Sequence, residues 1–398
     1  MDSKLVEITA RFRLTLLKGG EAMQTMKKID WWIIGPYAVL SIIGLLEVFS
    51  ASSYRLIIAG ANPRSLFYRQ LIFVLLSWGA LGLTYSVKLQ HLLKLRIAQI
   101  LLGCSTVLLL LVKVHLFGVT VNGAQRWISI FGIQFQPSEL ANMALIFYLS
   151  YYFRNPLQSK KELRAPIIVT LFLATLVFIQ PKVTGALILL LVAGVLFWAA
   201  AIPVDVGLIL GFAAVIGALI VAGIVLLLGS HDLLPHLFQH VYERIAIAGN
   251  PFADVNGTGY QMSNSYYAMY NGGFFGRGIG NSITKNGYLP EAETDFIFSI
   301  IVEELGMIVA LFLLLLLFVI CLRLFWLSTH CKNHQAALLV MGIGTLLLVQ
   351  TSINVASTLG LIPMTGIPLP FLSYGGTSYL ILSVSLGVAL NVSARERR

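Results

Sequence analysis

Charge is what this sequence has least of. Asp, Glu, Lys and Arg make up 11% of its 398 residues, roughly half the share of an ordinary soluble protein. Hydrophobic residues make up 58%, so there is too little polar surface to clothe a globule, and a soluble domain is excluded. Cysteine is scarce as well: Cys104 and Cys321 sit in apolar runs and Cys331 in a polar turn, which rules out a disulfide framework. Residues 1–30 are basic but lack the apolar core of a cleaved signal, so they read as an arm, and the first apolar run serves as the targeting signal. No tandem repeat or low-complexity tract interrupts the chain. Val206 to Leu228 contains no charged residue at all.

What the chain has instead is apolar stretches of spanning length. About 20 such residues are needed to cross a bilayer as a helix, because lipid satisfies no backbone N–H or C=O group. Stretches near 31–51, 68–87, 93–115, 137–153, 166–181, 185–203, 205–228, 296–322, 336–357 and 375–392 predict an all-α polytopic membrane protein of about ten spans. The organisation expected is a basic arm (1–30), a transmembrane domain (31–392) with a long external loop at 229–294, and a basic tail (393–398). With ten spans both termini share a side, and eighteen of the 27 Lys and Arg residues fall there. That asymmetry marks the side as cytoplasmic. The net charge of +10 is then a topology signal and an attraction to anionic lipid, and calls for no nucleic acid.

The external segments hold most of the remaining polar character. In His231 to Ile245, Leu233, Leu237, Val241 and Ile245 recur at helical spacing opposite His236, His240 and Glu243, which predicts a helix lying on the membrane surface. The same three polar residues have metal-ligand spacing, but a wetted face is the better reading of them, as a solvated loop is of Cys331 with His330 and His334. From Asn250 onward the loop is polar and Gly-rich, the pattern of a functional loop. Its Gly276-Arg277-Gly278-Ile279-Gly280 run follows no strand, so it is no dinucleotide loop. Leu361 to Gly376 carries three prolines and three glycines in an apolar context. It cannot be one helix, and is expected to dip into the membrane edge and line a protein-walled cavity.

Candidates for chemistry cluster at these boundaries. Asp295 lies where the polar loop becomes a span, close to Glu291 and Glu293, a setting that raises a carboxyl pKa and suits a general base. Spacing alone favours a plainer role, with Thr294 or Asp295 capping the helix. Glu303 and Glu304, two acids inside a span, demand polar partners. Arg126, Arg244, Arg277 and Lys285 are external cations of the kind that hold a diphosphate, and singly each also reads as an interfacial anchor. Lys182, in a tight turn, reaches either water or an acid such as Glu139.

Three stretches together resemble the SEDS family (shape, elongation, division and sporulation) over nearly the whole chain: NGAQRWISIFGIQFQPSEL at 122–140, the run from Asn250 to Gly306 with NSITKNGYLPEAETDFIF, and GLIPMTGIPLPFLSYGGTSY at 360–379. The NSITKNGYLPEA run resembles the division branch more than the elongation branch. The resemblance implies a peptidoglycan glycosyltransferase that polymerises lipid II on the external face, with Asp295 as the essential carboxylate. It also implies pyrophosphate or substrate contacts from Arg126, Arg244, Arg277, Lys285, Glu139, Lys182 and Ser373, with a divalent cation (Mg or Mn) as a further participant. The implied partners are a class B penicillin-binding protein and other division proteins. Three residues depart from the family pattern: Asn142 stands where Lys is common, Lys182 where Asp usually follows QP, and Glu293 where His usually precedes TD. The first two read as an exchanged charge. A lipid II flippase and a non-catalytic division scaffold are the alternatives.

Overall fold

The computed structural model describes residues 29–112, 118–121, 124–130, 133–156, 159–180, 182–200, 217, 220, 223–231, 233–234, 236–247 and 250–396. Most of the arm and most of the span expected at 205–228 lie outside them. Each of the other nine expected spans falls on one helix: α1 (Trp31–Ile58), α2 (Ser65–Ser86), α4 (Leu95–Leu111), α5 (Pro137–Tyr152), α6 (Arg164–Phe178), α7 (Val183–Ala199), α10 (Ile297–His330), α11 (His334–Thr358) and α12 (Gly376–Glu396). Of these, α1, α2, α10, α11 and α12 are long and apolar enough to cross a membrane. Among the described residues there are also shorter α-helices, α3 (Leu89–Leu92), α8 (His236–Ile247) and α9 (Tyr260–Gly272). A helix is present in the segment expected to hold one, as α8, although it starts at His236 instead of near His231, while the side chains of His236 and His240 are outside the described residues.

Local chemistry sets the helix starts. Asp30 accepts from Trp32 N at the start of α1 and Asn333 from Ala336 N at the start of α11, each satisfying an orphan donor. Pro137 opens α5, where its missing N–H costs nothing, with Glu139 in the favourable first turn. Leu83, Leu171, Leu227 and Leu311 stay exposed, as a lipid-facing surface requires.

Two features were not expected. The segment between α4 and α5 folds as a three-stranded antiparallel sheet of β1 (Gly118–Val121), β2 (Ala124–Ile130) and β3 (Ile133–Phe135), and β2 carries Arg126. The other is a break in α10 at Gly306 (φ 86, ψ 163), a left-handed conformation open to glycine. The Gly-rich loop closes the break from the side. Arg277 N donates to Glu303 O at 2.9 Å, Gly278 N to Glu304 O at 2.8 Å and Met307 N to Gly273 O at 2.9 Å, restoring bonds the helix has lost. Gly276 thus serves backbone approach to α10, where a Cβ would overlap Glu304 O.

Candidate functional site

Asp295 sits one residue outside the N-cap of α10. The cap is Phe296, with no side-chain capping bond, and Thr294 Oγ1 donates to Glu291 O (3.2 Å) and Glu291 Oε2 (3.0 Å). The capping role that spacing favoured is overturned, and the Asp295 carboxyl is left for other work.

The main chain here is held firmly by the broken segment before α12. Asn354 Nδ2, on α11, donates to Asp295 O at 3.1 Å and to Ile367 O at 2.8 Å. Ser373 Oγ donates to Thr294 O at 2.7 Å and accepts from Leu369 N at 2.8 Å, while Tyr374 N donates to Glu293 O at 2.8 Å. The hydroxyl proton of Ser373 is thereby spent on the scaffold, and Ser373 positions the Asp295 corner instead of presenting a free donor to a substrate. As expected, 361–375 is irregular and largely apolar in its burial, with Ile367, Leu369, Phe371 and Leu372 inside.

The charges of Arg244 and Arg126 both act on the Asp295 carboxylate. A Cβ placed at Gly366 would lie 3.5 Å from Asp295 Oδ2 and 3.9 Å from Arg244 Nη1, so the bare glycine leaves an open floor between them. Arg244 Nη1 donates to Met364 O at 3.3 Å. Arg126 Nε donates to Gln180 O at 3.2 Å, and burial, with Arg244 beside it, pushes its pKa down to about 10. Asp295 is half-buried. Desolvation and then Glu291 push its pKa up to about 6 against the pull of Arg244 and Arg126. Glu293 also raises it, but less. Glu293 is itself buried and ion-paired with Arg55 of α1, so the neighbouring charge that matters most is Glu291, at a left-handed φ of 57°.

Behind this lies a buried ion pair between α5 and the α6–α7 turn. Lys182 Nζ donates to Ser138 Oγ at 2.9 Å and to Glu139 Oε1 at 3.1 Å, and Gln350 Nε2 donates to Glu139 Oε2 at 3.0 Å. Lys182 therefore reaches the acid rather than water. Burial lowers its pKa, against the opposing effects of Glu139 and Asp295. Asn142, buried and one turn beyond Ser138 on α5, lies on the helix face that carries the Ser138 acceptor of Lys182.

Two expected cations belong elsewhere. Arg277 is exposed where the loop patches α10. Lys285 is buried, with its ammonium 2.7 Å from Glu304 Oε1 and 2.7 Å from Ser50 Oγ. Its ammonium is thus turned inward to Glu304, instead of outward as its place in the external loop suggested. Sequence reasoning missed Arg55, Gln350 and Asn354. The last two were readable: amides four apart inside an apolar span mark a polar helix face.

Residues 30–398 match the family model of FtsW, RodA and SpoVE, described as a cell cycle protein. The chain belongs to the FtsW/RodA/SpoVE family. Over 370 residues, 93% of each chain, it is 61% identical to a probable peptidoglycan glycosyltransferase FtsW of Enterococcus hirae. It is 32% identical to the Bacillus subtilis protein of the same name, over 92% of this chain and 91% of that one. Among solved structures it resembles the rod-shape-determining protein RodA of Thermus thermophilus (TM-score 0.66, 26% identity, 93% of this chain and 98% of that one). It also resembles a chain of a peptidoglycan synthase complex that coordinates polymerisation and crosslinking (TM-score 0.70, 26% identity, 92% and 97%). The family reading drawn from the three sequence stretches is thus correct, and so is the all-α polytopic membrane fold.

Proposed function

We propose that this FtsW/RodA/SpoVE-family protein is a peptidoglycan glycosyltransferase of septal wall synthesis, polymerising lipid II at the external end of the bundle. One observation carries the reading: Asp295 and Arg244 face each other across Gly366, which places a base beside an anion-binding cation. Asp295 takes the proton from the acceptor GlcNAc 4-hydroxyl as that oxygen attacks the donor MurNAc anomeric carbon. The new β-1,4 bond forms with inversion, undecaprenyl diphosphate leaves with the bonding electron pair, and the proton passes from Asp295 to water. Arg126 and Arg244 stabilise the charge that grows on the leaving diphosphate. Lys182, held by Glu139, adds positive potential from behind.

A divalent cation here would be held chiefly by the oxygens of the substrate diphosphate and by water, with at most one or two carboxylates of the chain. No group of three or more His, Cys, Asp or Glu suited to a metal occurs among the described residues.

Septal membrane localisation, cytoplasmic termini and a class B penicillin-binding protein partner belong to the same reading, supported by basic-residue asymmetry and by the relatives' names. Polymer formation from lipid II by the purified protein with its transpeptidase, parent against Asp295→Asn, tests the assignment. The break at Gly306 and the irregular 361–375 segment are also features of a lipid flippase. Flipping that survives in Asp295→Asn while polymer is lost separates the two activities.

Two further outcomes are expected. Arg244→Ala lowers kcat by about 10²-fold, the scale of losing one transition-state donor, and Arg277→Ala leaves kcat near the parent value; equal losses in single-turnover assays would remove Arg244 from the site. A base must be ionised to act, so activity falls as pH drops through about 6. Glu291→Gln removes a charge that raises the Asp295 pKa, so the acid limb of the kcat/KM profile moves to lower pH. A limb that stays put would show that another group sets it.

A further inference from the structure

A second polar cluster lies inside the bundle where α1, α10 and the Gly-rich loop meet. Eight to nine residues of helix separate it from Asp295, about 12–14 Å along the axis. Glu303 and Glu304 are fully buried there, and both carboxylates are well supplied with donors. Glu303 accepts from Ser282 Oγ (2.5 Å), Ile283 N (3.1 Å), Thr284 N (3.3 Å) and Asn271 Nδ2 (3.4 Å). Glu304 accepts from Ser50 Oγ (2.7 Å), Lys285 Nζ (2.7 Å), Gly280 N (2.8 Å) and Ser282 N (3.4 Å). Glu47 stands one turn before Ser50 on α1. It is 1% exposed, and neither of its carboxyl oxygens has a hydrogen-bond partner. The charges that act on it are Glu304 from α10 and Lys285 from the loop.

A third buried carboxylate here has no counter-charge left, because Lys285 is the one ammonium in the cluster and Glu304 holds it. An unpaired buried carboxylate is far costlier than a neutral acid. A metal ion is no remedy: the oxygens of Glu303 and Glu304 are already taken, and a single carboxyl cannot supply the six or more ligands a hard cation needs. A proton is the one cation that a lone carboxyl can hold by itself.

We propose that Glu47 is a proton-binding site coupled to the external loop. With its proton on, Glu47 is neutral and Lys285 stays with Glu304. When the proton passes to bulk water, the Glu47 carboxylate competes with Glu304 for the Lys285 ammonium. Because Lys285 is ten residues before Asp295 in the same loop, and Glu304 also holds Gly280 N and Ser282 N, that competition pulls on the segment leading to the candidate active site.

The test uses the full-length protein in lipid nanodiscs at about pH 8, where Asp295 is largely ionised. Infrared spectra of the parent are expected to show a protonated-carboxyl C=O band that shifts in D₂O and is missing from Glu47→Gln. Glu47→Gln and Glu47→Leu, both neutral, are expected to melt within about 3 °C of the parent. An unchanged band in Glu47→Gln would overturn the proposal. So would a drop of more than about 10 °C in both neutral variants, or a parent melting temperature that rises with added Na⁺, K⁺ or Mg²⁺ when that of Glu47→Gln does not.

Discussion

Asp295→Asn is expected to lower lipid II polymerisation by about 10²–10⁴-fold, the range for losing a positioned general base, while leaving the protein folded. The two halves of that expectation come from different observations. The loss follows from the open placement of the carboxyl across Gly366 from Arg244. The retained fold follows from what the carboxyl does not do: α10 is capped without it, and its position is set through its backbone carbonyl, which accepts from Asn354. Asn keeps the volume and that main-chain bond but cannot take the acceptor proton. Gel-resolved glycan polymer should therefore vanish with no fall in melting temperature, because a neutral side chain suits the desolvated site that raises the Asp295 pKa to about 6. Equal polymer from parent and variant would end the catalytic assignment. Unfolding of the variant would instead show that the carboxylate holds Arg126 and Arg244 together.

Much of this arrangement was legible because the bilayer makes hydropathy a strong signal: nine of the ten apolar windows fall on helices. The acids at 303 and 304 were readable as a demand for partners, and the partners are there. Other features were hidden for physical reasons. The sheet at 118–135 is built from short segments whose alternation is masked by glycines and by the membrane-facing run beside it. The break at Gly306 depends on a loop thirty residues upstream in the chain, and only the folded backbone brings Gly273 to Met307. Lys285 carried the same charge as Arg244 on paper. It is the burial beside Ser50 and Glu304 that turns its ammonium inward. The capping role of Asp295 failed similarly, since a helix start predicts a cap but not which residue has a free side chain.

Lys182→Met carries the largest expected effect on stability. Lys182 and Glu139 are 6% and 3% exposed, so truncating the ammonium strands a carboxylate whose remaining donor is Gln350. Breaking one side of such a buried pair costs about 3–5 kcal/mol. Adding Glu139→Gln removes the stranded charge, and the double variant should recover most of that loss, the non-additivity being the signature of a coupled pair. The recovered double variant then isolates chemistry from folding. If Lys182 contributes positive potential to the leaving diphosphate, its kcat stays depressed although its melting temperature is restored. If the pair is only a strut between α5 and the α6–α7 turn, kcat returns with stability. The exchanged charge gives a sharper form of the test. Asn142 lies on the face of α5 that presents Ser138 and Glu139 to Lys182, so Asn142→Lys with Lys182→Asp moves the cation to the opposite wall and leaves one cation against two acids, where Lys182→Asp alone leaves two acids with none. That double swap should melt above Lys182→Asp alone and regain activity that Lys182→Asp loses. A swap no better than the single variant, in both melting and polymer formation, would show that the two positions do not share one pocket.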